Sequence, residues 1–237
     1  MGPAFSTGPV ASNSFIREAT STLILPKGPT GSSGVASLWV GMGTSKGDLI
    51  QSIADNWQSP NWAIFAYTLL STSPTSQMPV QSDSTTAYAG DQITMHYKYD
   101  DASKNYTQYV SINGNLVHTL STNDGFALGW GSAVECAWIN TVITMDVADP
   151  NYKNTLAKGQ GVTGDLVTSD GGKTWTVSKI SIPGFDFSTG KIVTASSAAT
   201  TTAKTTSKTT TAAAATTTAS SSGAGTAARW AQCGGKL

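Results

Sequence analysis

An all-β fold, a two-sheet antiparallel β-sandwich or jelly roll, is predicted by three features of this chain. Thr, Ser, Val, Ile, Tyr and Trp are plentiful, while the strong helix formers Lys, Glu and Leu are scarce; Glu18 and Glu135 are the only glutamates. Short apolar or alternating runs recur at regular spacing between Gly, Pro, Asn and Asp clusters. Two stretches carry hairpin-turn chemistry, and no segment shows a convincing helical period.

The elements follow in order. Residues 1–16 are small, polar and read as irregular. In Arg17 to Pro26, Ala19, Ser21, Leu23 and Leu25 alternate with Thr20, Thr22 and Ile24, which is a half-buried strand. After the turn material of Pro26 to Gly34, strands are expected at Val35 to Met42 and Leu49 to Ile53, flanking the glycine-rich Gly41 to Gly47. Another follows at Trp62 to Leu70. A polar Ser/Thr/Pro stretch then runs to Ala89, and Gly90-Asp91 opens the strand Gln92 to Tyr99. Asn113-Gly114 separates Tyr106–Ile112 from Asn115–Leu120, and Asn-Gly suits a type I′ turn because both central residues need positive φ. Thr168-Ser169-Asp170-Gly171-Gly172-Lys173-Thr174-Trp175 matches an Asp-box, a hairpin turn whose Asp binds backbone amides while its Trp packs beneath. A single copy reads as a local turn.

Composition excludes several functions. Fourteen Lys and Arg balance fourteen Asp and Glu, with no basic stripe for nucleic acid and no apolar run of membrane-spanning length. Cys136 and Cys233 have no evident partners, so neither a disulfide in the main domain nor a metal site is expected, and no cofactor is implied. A monomer is expected. Residues 1–194 are assigned to the sandwich domain. Residues 195–228 are a Thr/Ser/Ala-rich linker, expected to be disordered and O-glycosylated, and 229–237 form a final short motif. Asn105-Tyr106-Thr107 is an N-glycosylation sequon beside a predicted strand edge.

That last motif, Arg229-Trp230-Ala231-Gln232-Cys233-Gly234-Gly235, resembles the opening of a fungal family 1 carbohydrate-binding module, cut off after its first cysteine. The resemblance implies a secreted, extracellular fungal protein working in plant cell wall material. Cellulose would be bound only through a complete module.

Four segments together resemble the fungal glutamic peptidases, the eqolisins: Trp39-Val40-Gly41, Ile50-Gln51-Ser52-Ile53-Ala54-Asp55, Gly90-Asp91-Gln92-Ile93 and Ala133-Val134-Glu135-Cys136-Ala137-Trp138. Ile64-Phe65-Ala66-Tyr67-Thr68 stands where that family has an aromatic segment with an acidic residue, which is absent here. The family's paired cysteines, Asn-Trp-Gly-Gly opening and strongly acidic composition are absent too. The resemblance implies a concanavalin-like sandwich with Glu135 as general base and then acid, and Gln51 as water holder and oxyanion donor. It further implies that Trp39, Asp55, Phe65, Tyr67 and Trp138 bind substrate.

That chemistry suits the residue types. A carboxylate within reach of a water and an amide aimed at developing negative charge contribute about 10²–10⁴-fold and about 10²–10³-fold. Glu135 also stands out without any family, since a glutamate within Ala133 to Ile139 breaks the apolar run around it. Three functions remain open on sequence: an acid endopeptidase, a polysaccharide-cleaving enzyme using Glu135 with an aspartate such as Asp55 or Asp91, and a polysaccharide-binding module. Exposed aromatics such as Trp57, Trp62, Tyr106 and Tyr109 could serve the last two by stacking on sugar rings. His118, between Leu116 and Leu120, reads as a packed or edge histidine.

Overall fold

The computed structural model describes residues 2–28, 35–133, 136–186 and 189–193. The linker, the terminal motif and Glu135 lie outside these residues. In chain order the strands are β1 (Ala4–Thr7), β2 (Ile16–Ile24), β3 (Ala36–Thr44), β4 (Leu49–Asn56), β5 (Trp62–Ser73), β6 (Ser76–Gln81), β7 (Thr85–Ala87) and β8 (Gln92–Tyr99). They continue with β9 (Tyr106–Ile112), β10 (Asn115–Thr122), β11 (Ala127–Ala133), β12 (Cys136–Met145), β13 (Ala157–Lys158), β14 (Thr174–Ile182), β15 (Gly184–Asp186) and β16 (Lys191–Val193). A single 3₁₀ turn, Tyr152–Thr155, is the only helical element among the described residues.

The ladders form two antiparallel layers. One runs β10-β9-β8-β2-β12-β14, the other β13-β1-β11-β3-β4-β5, with β6 and β7 on the far edge of β5. The pair Ile16↔Ala127 joins them, so hydrogen bonding passes from one layer into the next in a nearly barrel-like sandwich. Period-two alternation decides which side chains meet between the layers. Ala19, Leu23, Ile93, Met95, Tyr97, Tyr106, Val110, Trp138 and Ile143 point in from the first layer. Phe5, Val40, Met42, Ile50, Ile64, Ala66 and Trp130 point in from the second.

The alternation predicted for Ala19, Ser21 and Leu23 is observed, and each is fully buried. Asn113 and Gly114 have φ of 51° and 82°, the double positive pair of a type I′ turn. In the Asp-box segment, Asp170 Oδ1 accepts from Thr174 N at 2.9 Å and Thr168 Oγ1 at 2.9 Å, and Trp175 is buried beneath. This is the local turn the sequence suggests.

Three expectations need correction. Residues 1–16 include β1, whose alternation of buried Phe5 and Thr7 spans too few residues to register as a period. The polar stretch before Ala89 contains β6 and β7. β6 is an exposed edge strand carrying Pro79, so it lacks the buried-face pattern that identifies a strand. Beyond Phe187, Lys191–Val193 still pairs with Gly184–Asp186.

Candidate active site

The second layer turns one face to the core and the other outward, and the outward face is read from the register. Gln51 on β4 lies opposite Gly41 on β3 and Tyr67 on β5, and Gly41 lies opposite Gly131 on β11. Ile53 lies between Trp39 and Phe65, and Asp55 between Ser37 and Ala63. Five residues selected from sequence, Trp39, Gln51, Asp55, Phe65 and Tyr67, therefore share one face in three adjacent rows.

That face is recessed. Gln51, Ile53 and Phe65 point away from the core cluster, yet retain only 6%, 8% and 8% of their exposure. The flanking rings account for part of this, with Phe65 and Tyr67 packed edge-on at 6.0 Å. Beside Gln51 the face is built of glycines. Gly41-Met42-Gly43 and Gly129-Trp130-Gly131 pair so that Met42 and Trp130 enter the core while the glycines face outward. A side chain at Gly41 would put its Cβ 2.6 Å from Ile50 O and 3.0 Å from Gln51 Cβ. Glycine is therefore required at Gly41, which is buried and packs directly against the Ile50 carbonyl and the Gln51 side chain.

Two buried glutamines show what is special about Gln51. Gln108, on β9, is wholly enclosed and fully used. Its Nε2 donates to Tyr67 O at 2.9 Å and Thr68 Oγ1 at 2.8 Å, and its Oε1 accepts from Ser52 Oγ at 3.0 Å. The Gln51 amide makes no hydrogen bond within the described residues. Among the described residues the fully enclosed polar atoms without partners are Asp124 Oδ1, Trp130 Nε1 and Trp175 Nε1, and the Gln51 amide atoms are not among them. Buried amides are almost always paired. One that is nearly buried and unpaired among the described residues is set up to meet a ligand or water.

Asp55 supplies the charge on this face. Burial pushes its carboxyl above the ordinary range, and the hydroxyl of Ser37 and the indole of Trp57 partly offset that by binding the charged form. The Asp55 charge in turn adds to the burial that raises the Tyr67 phenol. Gln51 and Asp55 are four residues apart on one strand, roughly 13 Å, too far to share one water. Trp57, which follows β4, is 70% exposed.

Other expected residues lie elsewhere. Trp138 has no exposed surface; it points into the core, with its indole Nε1 donating to Cys136 Sγ at 2.7 Å. It is a core residue and not a substrate contact, because along β12 the positions of Cys136 and Trp138 alternate inward. Trp62 and Tyr106 are likewise buried, whereas Tyr109 is half-buried on the outer face of the first layer, stacked on His96. His118 bonds Thr85 across a strand edge at 2.9 Å. Asn105 sits half-buried in the β8–β9 turn, its Nδ2 donating to Ser121 Oγ at 3.3 Å. Among the described residues no cluster of three His, Cys, Asp or Glu could hold a metal, and no helix is long and apolar enough to cross a membrane.

Sequence reasoning passed over Ser37, Ile53, Gly131 and Gln108. For Gly131 a signal existed: Gly-x-Gly occurs in two strands with a large apolar residue between. Ser37 and Gln108 gave none, because their roles depend on which residues the register and the opposite layer bring to them.

The fold and this face define a β-sandwich whose recessed, aromatic-walled outer surface carries an amide unpaired among the described residues, beside a row of glycines. No family model matches the chain, and no curated protein matches it. Among solved structures it is similar to a Scytalido-glutamic peptidase bound to a peptide-based transition-state analogue, at 16% identity and a TM-score of 0.48, covering 75% of this chain and 96% of that one. It is similar to SCP-B, a member of the eqolisin family of peptidases in complex with a tripeptide, at 14% identity and 0.44, covering 75% and 96%. An endo-1,3-beta-glucanase from Streptomyces sioyaensis is similar at 12% identity and 0.35, covering 74% and 66%. Likenesses this distant carry no function; the functional reading rests on the residues of the face.

Proposed function

We propose that this chain is a hydrolase, an acid endopeptidase that lays extended polypeptide across the recessed face and cleaves it with water. The observation carrying this reading is the nearly buried Gln51 amide, unpaired among the described residues, beside the glycines Gly41 and Gly131. In the proposed reaction Glu135, which lies outside the described residues, takes a proton from water as the oxygen attacks the scissile carbonyl. The Gln51 Nε2–H donates to the carbonyl oxygen as it becomes an oxyanion. Glu135 then passes the proton to the departing amine, and the C–N bond breaks. An amide donor is worth most where water is excluded, which the recess favours. Trp39, Phe65 and Tyr67 offer apolar walls for substrate side chains, and Asp55 offers a hydrogen-bonding carboxyl.

Polysaccharide cleavage or binding is the alternative reading. It is favoured by the same rings and by exposed Trp57, since aromatic faces stack on sugars. The peptidase reading is preferred because a conventional glycosidase needs two carboxyl groups flanking the bond, about 5–9.5 Å apart. There Asp55 would have to join Glu135 as the second carboxyl, and the Gln51 amide, unpaired among the described residues, would have no role.

Secretion into plant wall material, with glycosylation at Asn105, is proposed from the linker, terminal motif and sequon alone. A mobility shift of the exported protein on endoglycosidase treatment would test it.

Purified protein is expected to digest denatured casein at acid pH, and Glu135→Gln to abolish digestion. Absence of cleavage by the unaltered protein would refute the peptidase reading. Release of reducing sugar from glucan, xylan or uronan would select the alternative.

A further inference from the structure

Gln108 does its hydrogen bonding from the opposite layer. Its amide enters the core from β9 and meets the second layer at the residues that carry the recessed face. Nε2 donates to Tyr67 O at 2.9 Å, while Oε1 accepts from Tyr67 N at 3.4 Å and Ser52 Oγ at 3.0 Å. One side-chain amide thus ties β4 to β5 where Gln51 and Tyr67 face each other. A second tie stands beside it. The Tyr97 hydroxyl accepts from Ser52 N at 2.8 Å and donates to Val40 O at 2.6 Å, joining β4 to β3 at the residue after Gln51. From Gln108 the chain of bonds continues through Thr68 Oγ1 and Thr122 Oγ1 to the enclosed carboxyl of Asp124, at 2.8, 3.2 and 2.6 Å.

We infer that Gln108 is a positioning residue for the recessed face: by holding the main chain of Tyr67 and the hydroxyl of Ser52 from within the core, it fixes where the Gln51 amide stands. Gln108, Ser52, Tyr97, Thr68 and Asp124 have no exposed surface, so solvent cannot take their place without opening the sandwich. A strand in which every second residue is outward has no other fixing on its inner side than what the opposite layer supplies. Here that supply is polar and directional, where Ile50 and Ala54 on the same strand give only packing. An apolar residue at position 108 would fill the space but drop these bonds, leaving the ladder register intact while the main chain at Ser52 and Tyr67 settles differently. The kinetic part of the test rests on the proposed peptidase reading; the spectroscopic part does not.

The test uses the full chain with Gln108→Met and Gln108→Glu, each first checked for cooperative thermal unfolding. The Gln51 side-chain ¹H–¹⁵N resonances, assigned by their loss in Gln51→Glu, are recorded well below the melting temperature, alongside casein digestion at saturating and sub-saturating substrate. Gln108→Met is expected to move those resonances and to lower the saturating rate on the order of 10²-fold, as displacements near 1 Å do. Gln108→Glu should move the resonances in the same way near neutral pH. It should recover toward the unaltered protein in acid, where the protonated carboxyl again offers a donor and an acceptor. Should both variants fail to fold, Thr68→Val removes one bond of Gln108 and should move the same resonances less. Unchanged Gln51 resonances in every folded variant would overturn the inference. If the unaltered protein digests nothing, the peptidase reading falls while the resonances still decide this one.

Discussion

Asp124 offers the sharpest test of how the buried polar chain is balanced. Its side chain has no exposed surface; Oδ2 accepts from Thr122 Oγ1 at 2.6 Å and Oδ1 has no partner. Burial, helped by the nearby charge of Asp48 and opposed by the Thr122 hydroxyl and Lys46, pushes its carboxyl up from 3.8 to about 6. Because the native value lies above the unfolded one, the folded state holds the proton more tightly. The resulting stability is complete below the ordinary carboxylate range near pH 4 and is lost as pH rises through about 6. At about 1.4 kcal/mol for each pH unit separating the two values, the loss is on the order of 3 kcal/mol. Asp124→Asn keeps the shape and the acceptor for Thr122 but cannot ionise. Urea unfolding at pH 4 and pH 8 should therefore show the unaltered protein losing about 3 kcal/mol more than the variant between those values. Differencing the two proteins removes the surface carboxylates Asp91, Asp101, Asp165 and Asp170, whose values are lowered by their partners and which act in more acid solution. Parallel pH profiles for the two proteins would refute the reasoning.

Three further outcomes follow from single contacts. Gly172 has φ of 93° and a Cβ there would stand 2.4 Å from Asp149 O, so Gly172→Ala should cost more than about 1 kcal/mol of unfolding free energy; an unchanged melting curve would contradict the turn geometry. Ser37→Ala removes a hydrogen bond that favours the charged form of Asp55, so the Asp55 carboxyl should titrate at still higher pH by ¹³C NMR, and a fall would contradict the assignment. Trp138→Ala should cost about 3–5 kcal/mol as a core truncation, with folded protein retaining its affinity for peptide, whereas a substrate contact would show the opposite balance.

Most of the sandwich was legible because period two shows wherever one strand face is buried over six or more residues. β2, β8 and β9 are of this kind, and the Asn113-Gly114 turn fixed the β9–β10 hairpin by its own backbone requirement. β1 and β6 escaped for opposite reasons: one is too short, the other too exposed to carry a pattern. The recessed face was half legible. Gln51 and Asp55 share parity on one strand, so their common face follows from alternation alone. Trp138 was misassigned because proximity to Glu135 in sequence says nothing of which face a strand residue takes. Gln108 looked like any strand glutamine. Its partners, Tyr67 and Ser52, lie more than forty residues away and meet it only when the two layers close.

The central claim is that the Gln51 amide stabilises an oxyanion during peptide cleavage. Its most direct test is steady-state digestion of denatured casein at acid pH by the unaltered protein and by Gln51→Ala. The account predicts a saturating rate lowered about 10²–10³-fold, with half-saturation little changed, as removal of a single oxyanion donor requires. Equal saturating rates in the two proteins would contradict it.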